Sequence, residues 1–153
     1  MNTSKLFRVS ALVVGLAAVS GITAIPALAV DNMSSGDIDL SSVRAKIKAK
    51  DYASALSELR DLADETPNAD VYNLLGFTLR KSGDYATALT YYNRALDLEP
   101  DHKAAREYLG ELFVETGDLD KANEQLARLV RLCPNRCEER DDLQRALGAR
   151  AGK

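Results

Sequence analysis

Tryptophan is absent from the 153 residues, histidine occurs once and cysteine twice, and the 20 basic side chains are outnumbered by 23 acidic ones. Each shortage removes a class of function. A Ser–His–Asp or Cys–His centre could rest only on His102, and no Cys or second His stands at ligand spacing from it. No glycine-rich phosphate loop is present, so neither catalysis nor a bound cofactor is expected. A net charge of −3 offers phosphate backbones no general attraction, which argues against sequence-independent nucleic-acid binding. With 9 Gly and 4 Pro against 46% hydrophobic residues, the chain is neither collagen-like nor wholly disordered. Its length suits one domain or a short repeat array.

The first thirty residues read as an address. Lys5 and Arg8 precede an apolar run from Val9 to Ile25, then Pro26 and Ala27-Leu28-Ala29. A positive end, a hydrophobic stretch and small residues before a cut are the order of a signal peptide, 1–29, cleaved after Ala29. An uncleaved anchor is the alternative, because the run is slightly long for a signal core and slightly short for a spanning helix. Neither cysteine lies near the cut, which rules out a lipid-modified cysteine there. Export would leave a mildly acidic chain in an oxidising compartment, periplasmic or secreted, with no membrane attachment after cleavage. Asn32-Met33-Ser34 is formally a glycosylation sequon, read as chance in a bacterial export product.

Beyond this segment a period of 34 residues organises the chain. Tyr72-x-x-Leu75-Gly76-x-x-Leu79 aligns with Arg106-x-x-Leu109-Gly110-x-x-Phe113. Downstream, Gly83-Asp84 matches Gly117-Asp118, Ala88 matches Ala122, Tyr92 matches Leu126 and Pro100 matches Pro134. Upstream, Asp51-Tyr52-Ala53-x-Ala55 and Pro67 repeat the pattern at an offset of 33. A mid-helix glycine costs about 1 kcal/mol relative to alanine, so close helix approach must compensate, with Ala88 and Ala122 as the small residues opposite. Gly83 and Gly117 read as helix stops, Asp84 and Asp118 as N-caps, and Pro100 and Pro134 as terminators.

Residues 69–136 resemble two tetratricopeptide repeats, in which an aromatic, Leu-Gly, a second aromatic, Ala and Pro recur at these spacings. The resemblance implies an all-α, right-handed α-solenoid of three helix pairs, 36–68, 69–102 and 103–136. The first is degenerate, as terminal repeats tend to be. An acidic start and a basic end mark a capping helix at 137–149. Residues 30–36 form a disordered linker, and 150–153 are left disordered as well.

The resemblance also implies that the first helix of each pair lines a concave groove with its fifth, ninth and thirteenth residues. Those are Leu40, Arg44 and Lys48; Asn73, Phe77 and Lys81; and Glu107, Glu111 and Glu115. Three glutamates at i, i+4 spacing repel by a few tenths of a kcal/mol per pair. Either a neighbouring helix relieves them, notably Lys81 against Glu115, or they form an acidic patch for a basic segment of a partner, with Phe77 as apolar anchor. Glutamate at 107 and 111 argues against the carboxylate clamp of some family members, which needs Lys or Arg there. His102 reads as a solvated loop residue.

Cys133 and Cys137 flank the turn before the capping helix, and in an oxidising compartment they read as a disulfide clip. The other reading is a redox or Cu(I)-binding pair, although two thiolates do not close a zinc site. A non-catalytic module that binds a protein or peptide partner accounts for most of these features. Thiol or copper handling and a self-associating scaffold are the competitors. Sequencing the mature N-terminus is expected to give Val30-Asp31, in a protein with no titratable thiol. An intact Met1 start recovered from membranes would establish the anchor instead.

Overall fold

The computed structural model describes residues 38–152. The signal segment, the linker and the Asn32 sequon lie outside the described residues. Seven helices and no strand occur among those described: α1 (Ser41–Lys48), α2 (Tyr52–Glu65), α3 (Ala69–Lys81), α4 (Tyr85–Leu98), α5 (Lys103–Thr116), α6 (Leu119–Leu132) and α7 (Glu138–Ala151). They form an all-α solenoid. Helices pair as α1/α2, α3/α4 and α5/α6; α2 packs on α3, α4 on α5 and α6 on α7, while α5 also touches both α3 and α7.

Local chemistry fixes where each helix starts. The side chains of Asp51, Asn68, Asp84 and Asp118 accept from the backbone N–H of Ser54, Val71, Thr87 and Lys121 at 3.1–3.3 Å. Each such cap contributes about 1 kcal/mol. His102, expected in solvent, is the cap of α5: its Nδ1 accepts from Ala105 N–H at 3.1 Å, and Nε2 lies 3.1 Å from Asp70 Oδ1. This arrangement puts the ring proton on Nε2, where it donates to the preceding pair, and leaves the side chain only 10% exposed. A capping site and a carboxylate at the same reach outweigh hydration here.

Stops are equally local. Gly83 (φ 88°) and Gly117 (φ 89°) adopt the left-handed conformation that ends the first helices, whereas the first pair places Lys50 (φ 60°) at the equivalent turn. The second helices end at Glu65, Leu98 and Leu132, each two residues before its proline, Pro67, Pro100 or Pro134.

The glycines permit close approach, but not against the expected alanines. A Cβ on Gly76 would lie 2.7 Å from two ring carbons of Tyr92, one turn beyond Ala88 on α4. In the next pair the residue matching Tyr92 is the smaller Leu126, and the nearest side chain over Gly110 is Leu143, which comes from α7. Tyr92, Leu143, Ala88 and Ala122 are all fully buried. Two apolar clusters make the core, one centred on α1–α3 and one on α3–α7, and Leu56 and Tyr91 pack against both.

α7 begins one period after α5, and Leu143 stands 34 residues beyond Leu109. It therefore stands in the register of a first helix, and it runs to Ala151, past the disordered start expected at 150. Among the described helices, none is long and apolar enough to cross a membrane.

Gly76→Ala is expected to lower the melting temperature. The buried Tyr92 ring has nowhere to retreat, so overpacking of about 1–3 kcal/mol outweighs a propensity gain of about 1 kcal/mol. Gly148→Ala, where an added Cβ meets nothing within 4 Å, should raise it. Thermal denaturation of both variants checks the pair.

Candidate functional site

The first helices of the three pairs build a pocket of about 240 Å³, lined by Arg44, Ile47 and Lys48 from α1, Leu74 and Phe77 from α3, and Tyr108 from α5. Phe77 and Tyr108 form its aromatic floor, with ring centroids 4.9 Å apart. Behind them lies Arg80, only 2% exposed, with its guanidinium carbon 5.6 Å from the Phe77 centroid and 5.8 Å from that of Tyr108. Cation–π contact and ion pairing compensate for the buried charge. Arg44, Lys48 and Lys81 stay exposed. Lys81 Nζ sits 5.4 Å from the Phe77 centroid.

The glutamate row is not three free carboxylates. Arg80 donates from Nη2 to Glu111 Oε2 at 2.5 Å and from Nη1 to Glu115 Oε1 at 2.6 Å. Relief from a neighbouring helix is thus present, but Arg80 supplies it in place of the expected Lys81. The 34-residue offset sets Arg80 beside position 114, between the two glutamates, so the signal was in the sequence. Glu107 differs from both. It is 7% exposed, and its carboxyl is raised to about 8 from 4.5, first by burial and then by Glu111, Asp142 and Glu139, with Arg80 pulling the other way. At neutral pH it is largely protonated.

Of the residues expected to line the groove, Arg44, Phe77 and Lys48 share one pocket, and Lys81 borders Phe77. Leu40 and Asn73 do not line it. Leu40 is buried ahead of α1, and Asn73 is 3% exposed with its Oδ1 unpaired among the described residues. Glu107 lines a second pocket of about 210 Å³ between α5 and α7, with Ala104, Tyr108, Glu138, Glu139 and Asp142. Tyr108 borders both pockets. Sequence reasoning missed Tyr108, Leu74 and Ile47, which lie one position to either side of the expected rows. The sulfurs of Cys133 and Cys137 lie 2.02 Å apart across the α6–α7 turn.

The family model for the tetratricopeptide repeat matches residues 78–136. Those residues, from the last turn of α3 to the end of α6 and the turn after it, therefore match the tetratricopeptide repeat, in keeping with the resemblance of 69–136. An uncharacterised protein, ycf37, of Guillardia theta is 33% identical over 73 residues, covering 48% of this chain and 41% of that protein. The chain thus spans less than half the length of that relative. Among solved structures, the first TPR of Spaghetti (RPAP3) bound to the HSP90 peptide SRMEEVD has a TM-score of 0.63 at 20% identity, covering 72% of this chain and 89% of that one. PcrH in complex with the chaperone binding region of PopD has a TM-score of 0.62 at 19% identity, covering 73% and 87%. These two likenesses concern the tetratricopeptide fold alone.

Glu107 makes stability depend on pH with a definite sign. Below about pH 4.5 both folded and unfolded chains hold its proton; between about 4.5 and 8 only the unfolded chain releases it, so stability falls as pH rises, and above 8 the loss is complete. Glu107→Gln should therefore be more stable than the parent near pH 7.5 and equal to it near pH 4, as read by urea denaturation.

Proposed function

We propose that the protein is an exported, non-catalytic interaction module that holds a segment of another protein against its first helices. The observation that carries this reading is the pocket over Phe77 and Tyr108, where an aromatic floor with cations on the rim is built before any partner arrives. Two rings held by Arg80 lose little freedom on binding, so apolar contact there is realised with a small ordering cost. Structures of the same fold in complex with a peptide and with a chaperone binding region support a segment as the occupant. Export rests on the order of residues 1–29. In that compartment a Cys133–Cys137 disulfide would clip the start of α7 to the end of α6, for about 2 kcal/mol by loop entropy.

Affinity capture from a native envelope extract tests the reading. A protein retained by the parent is expected to be lost about tenfold or more with Phe77→Ala and to be retained by Arg128→Ala, on the exposed side of α6. Circular dichroism confirms that both variants fold. Equal capture by parent and Phe77→Ala would overturn the assignment.

A further inference from the structure

The pocket between α5 and α7 has a chemistry distinct from the aromatic one beside it. Glu107 forms its inner side, more than nine-tenths buried, and no described side chain donates a hydrogen bond to its carboxyl. Glu138, Glu139 and Asp142 stand along the other side, on the first turns of α7, and Tyr108 completes the lining with Ala104. Such an acid is normally paired or left in water. Here it faces a cavity of about 210 Å³, a size that admits one side-chain head group.

We infer that this pocket is a socket for one basic side chain, the ammonium of a lysine or the guanidinium of an arginine, projecting from the segment that lies on the first helices. The inference rests on the proposed function, since it takes the socket to receive part of the same segment. Clustered carboxylates complement an organic cation by charge and by charge-assisted hydrogen bonds. A metal ion fits less well. Among the described residues no group of three or more His, Cys, Asp or Glu is arranged to hold one. Of the cations paired with these helices, Arg80 holds Glu111 and Glu115 and Arg145 pairs with Asp142, while no ion pair to Glu107, Glu138 or Glu139 occurs among the described residues.

Binding should have a proton signature. The charged and titratable groups set against Glu107 are Tyr108 and Glu111 on its own helix, Arg80 on α3, and Glu138, Glu139 and Asp142 on α7. Their balance, with burial, keeps Glu107 protonated at neutral pH. An incoming cation favours its carboxylate, so occupation expels the proton.

The experiment uses N-acetyl-lysine methylamide and its uncharged analogue N-acetyl-norleucine methylamide as probes, titrated into isotope-labelled protein near pH 7. The lysine probe should shift the amide signals of 104–108 and 138–142 saturably, and the norleucine probe should not. Calorimetry in two buffers of different ionisation enthalpy should show proton release on binding. Glu107→Gln, which keeps the fold, should abolish that release and weaken binding about tenfold, a change equivalent to about 1.4 kcal/mol. Asp142→Asn should weaken binding while preserving the release. The socket is overturned by shifts spread over the acidic surface, by equal response to both probes, or by unchanged binding and proton release in Glu107→Gln. Because neither probe needs the Phe77 pocket, such a failure would leave the capture result for Phe77→Ala standing, and a failed capture would leave the socket's affinity for a basic side chain standing while removing the segment said to deliver it.

Discussion

Close approach of a side chain to a bare helix backbone sets the geometry on which everything else depends. Without a Cβ at Gly76 the Tyr92 ring packs directly on the backbone of α3, closer than any side chain at that position would allow. Once α3 and α4 are fixed, α5 has one way to pack beside them. Phe77 and Tyr108 then meet at 4.9 Å, because each occupies the face its helix turns away from its second helix. The pocket between them is a by-product of core packing, which is why it needs no loop to form and no ligand to hold it open.

Electrostatics completes what packing begins. A buried guanidinium would be costly alone, yet Arg80 sits where two rings offer their faces and two glutamates of the next helix reach it. It ties α3 to α5 across adjacent repeats, and His102 ties α5 back to Asp70 at the start of α3. One link lies near the end of the helices and the other near their beginning. Together they restrain the twist of one repeat against the next, which apolar contacts alone would leave softer.

The repeat, its turns and its caps were legible because each depends on residues within one turn of the chain. Asp84 and Asp118 cap helices wherever they follow a left-handed glycine, and a proline cannot continue a helix. The groove was legible only in part. Fixed positions found Phe77, Arg44 and Lys48, but missed Tyr108 and its repeat equivalent Leu74 by one residue, because Asn73 and Glu107 at the expected positions are buried between helices. Charges were harder still. Whether Glu107 is an anion depends on burial by α7 and on Arg80 choosing Glu111 and Glu115, and these are contacts between elements dozens of residues apart. His102 was misread for the same reason: its second partner, Asp70, lies a whole repeat away.

The seating of α7 carries a further consequence. α7 inserts one fully buried side chain, Leu143, over Gly110, and its remaining residues are partly or wholly exposed. Leu147 packs on the same cluster and Arg140 donates to the Cys133 carbonyl, so a local opening of α7 that leaves α1–α6 folded must release all three contacts together. In that open state the Gly110 notch is bare and the backbone of α5 faces solvent. How firmly α7 docks is therefore set in large part by how well one leucine fills the space where the preceding pair has a tyrosine.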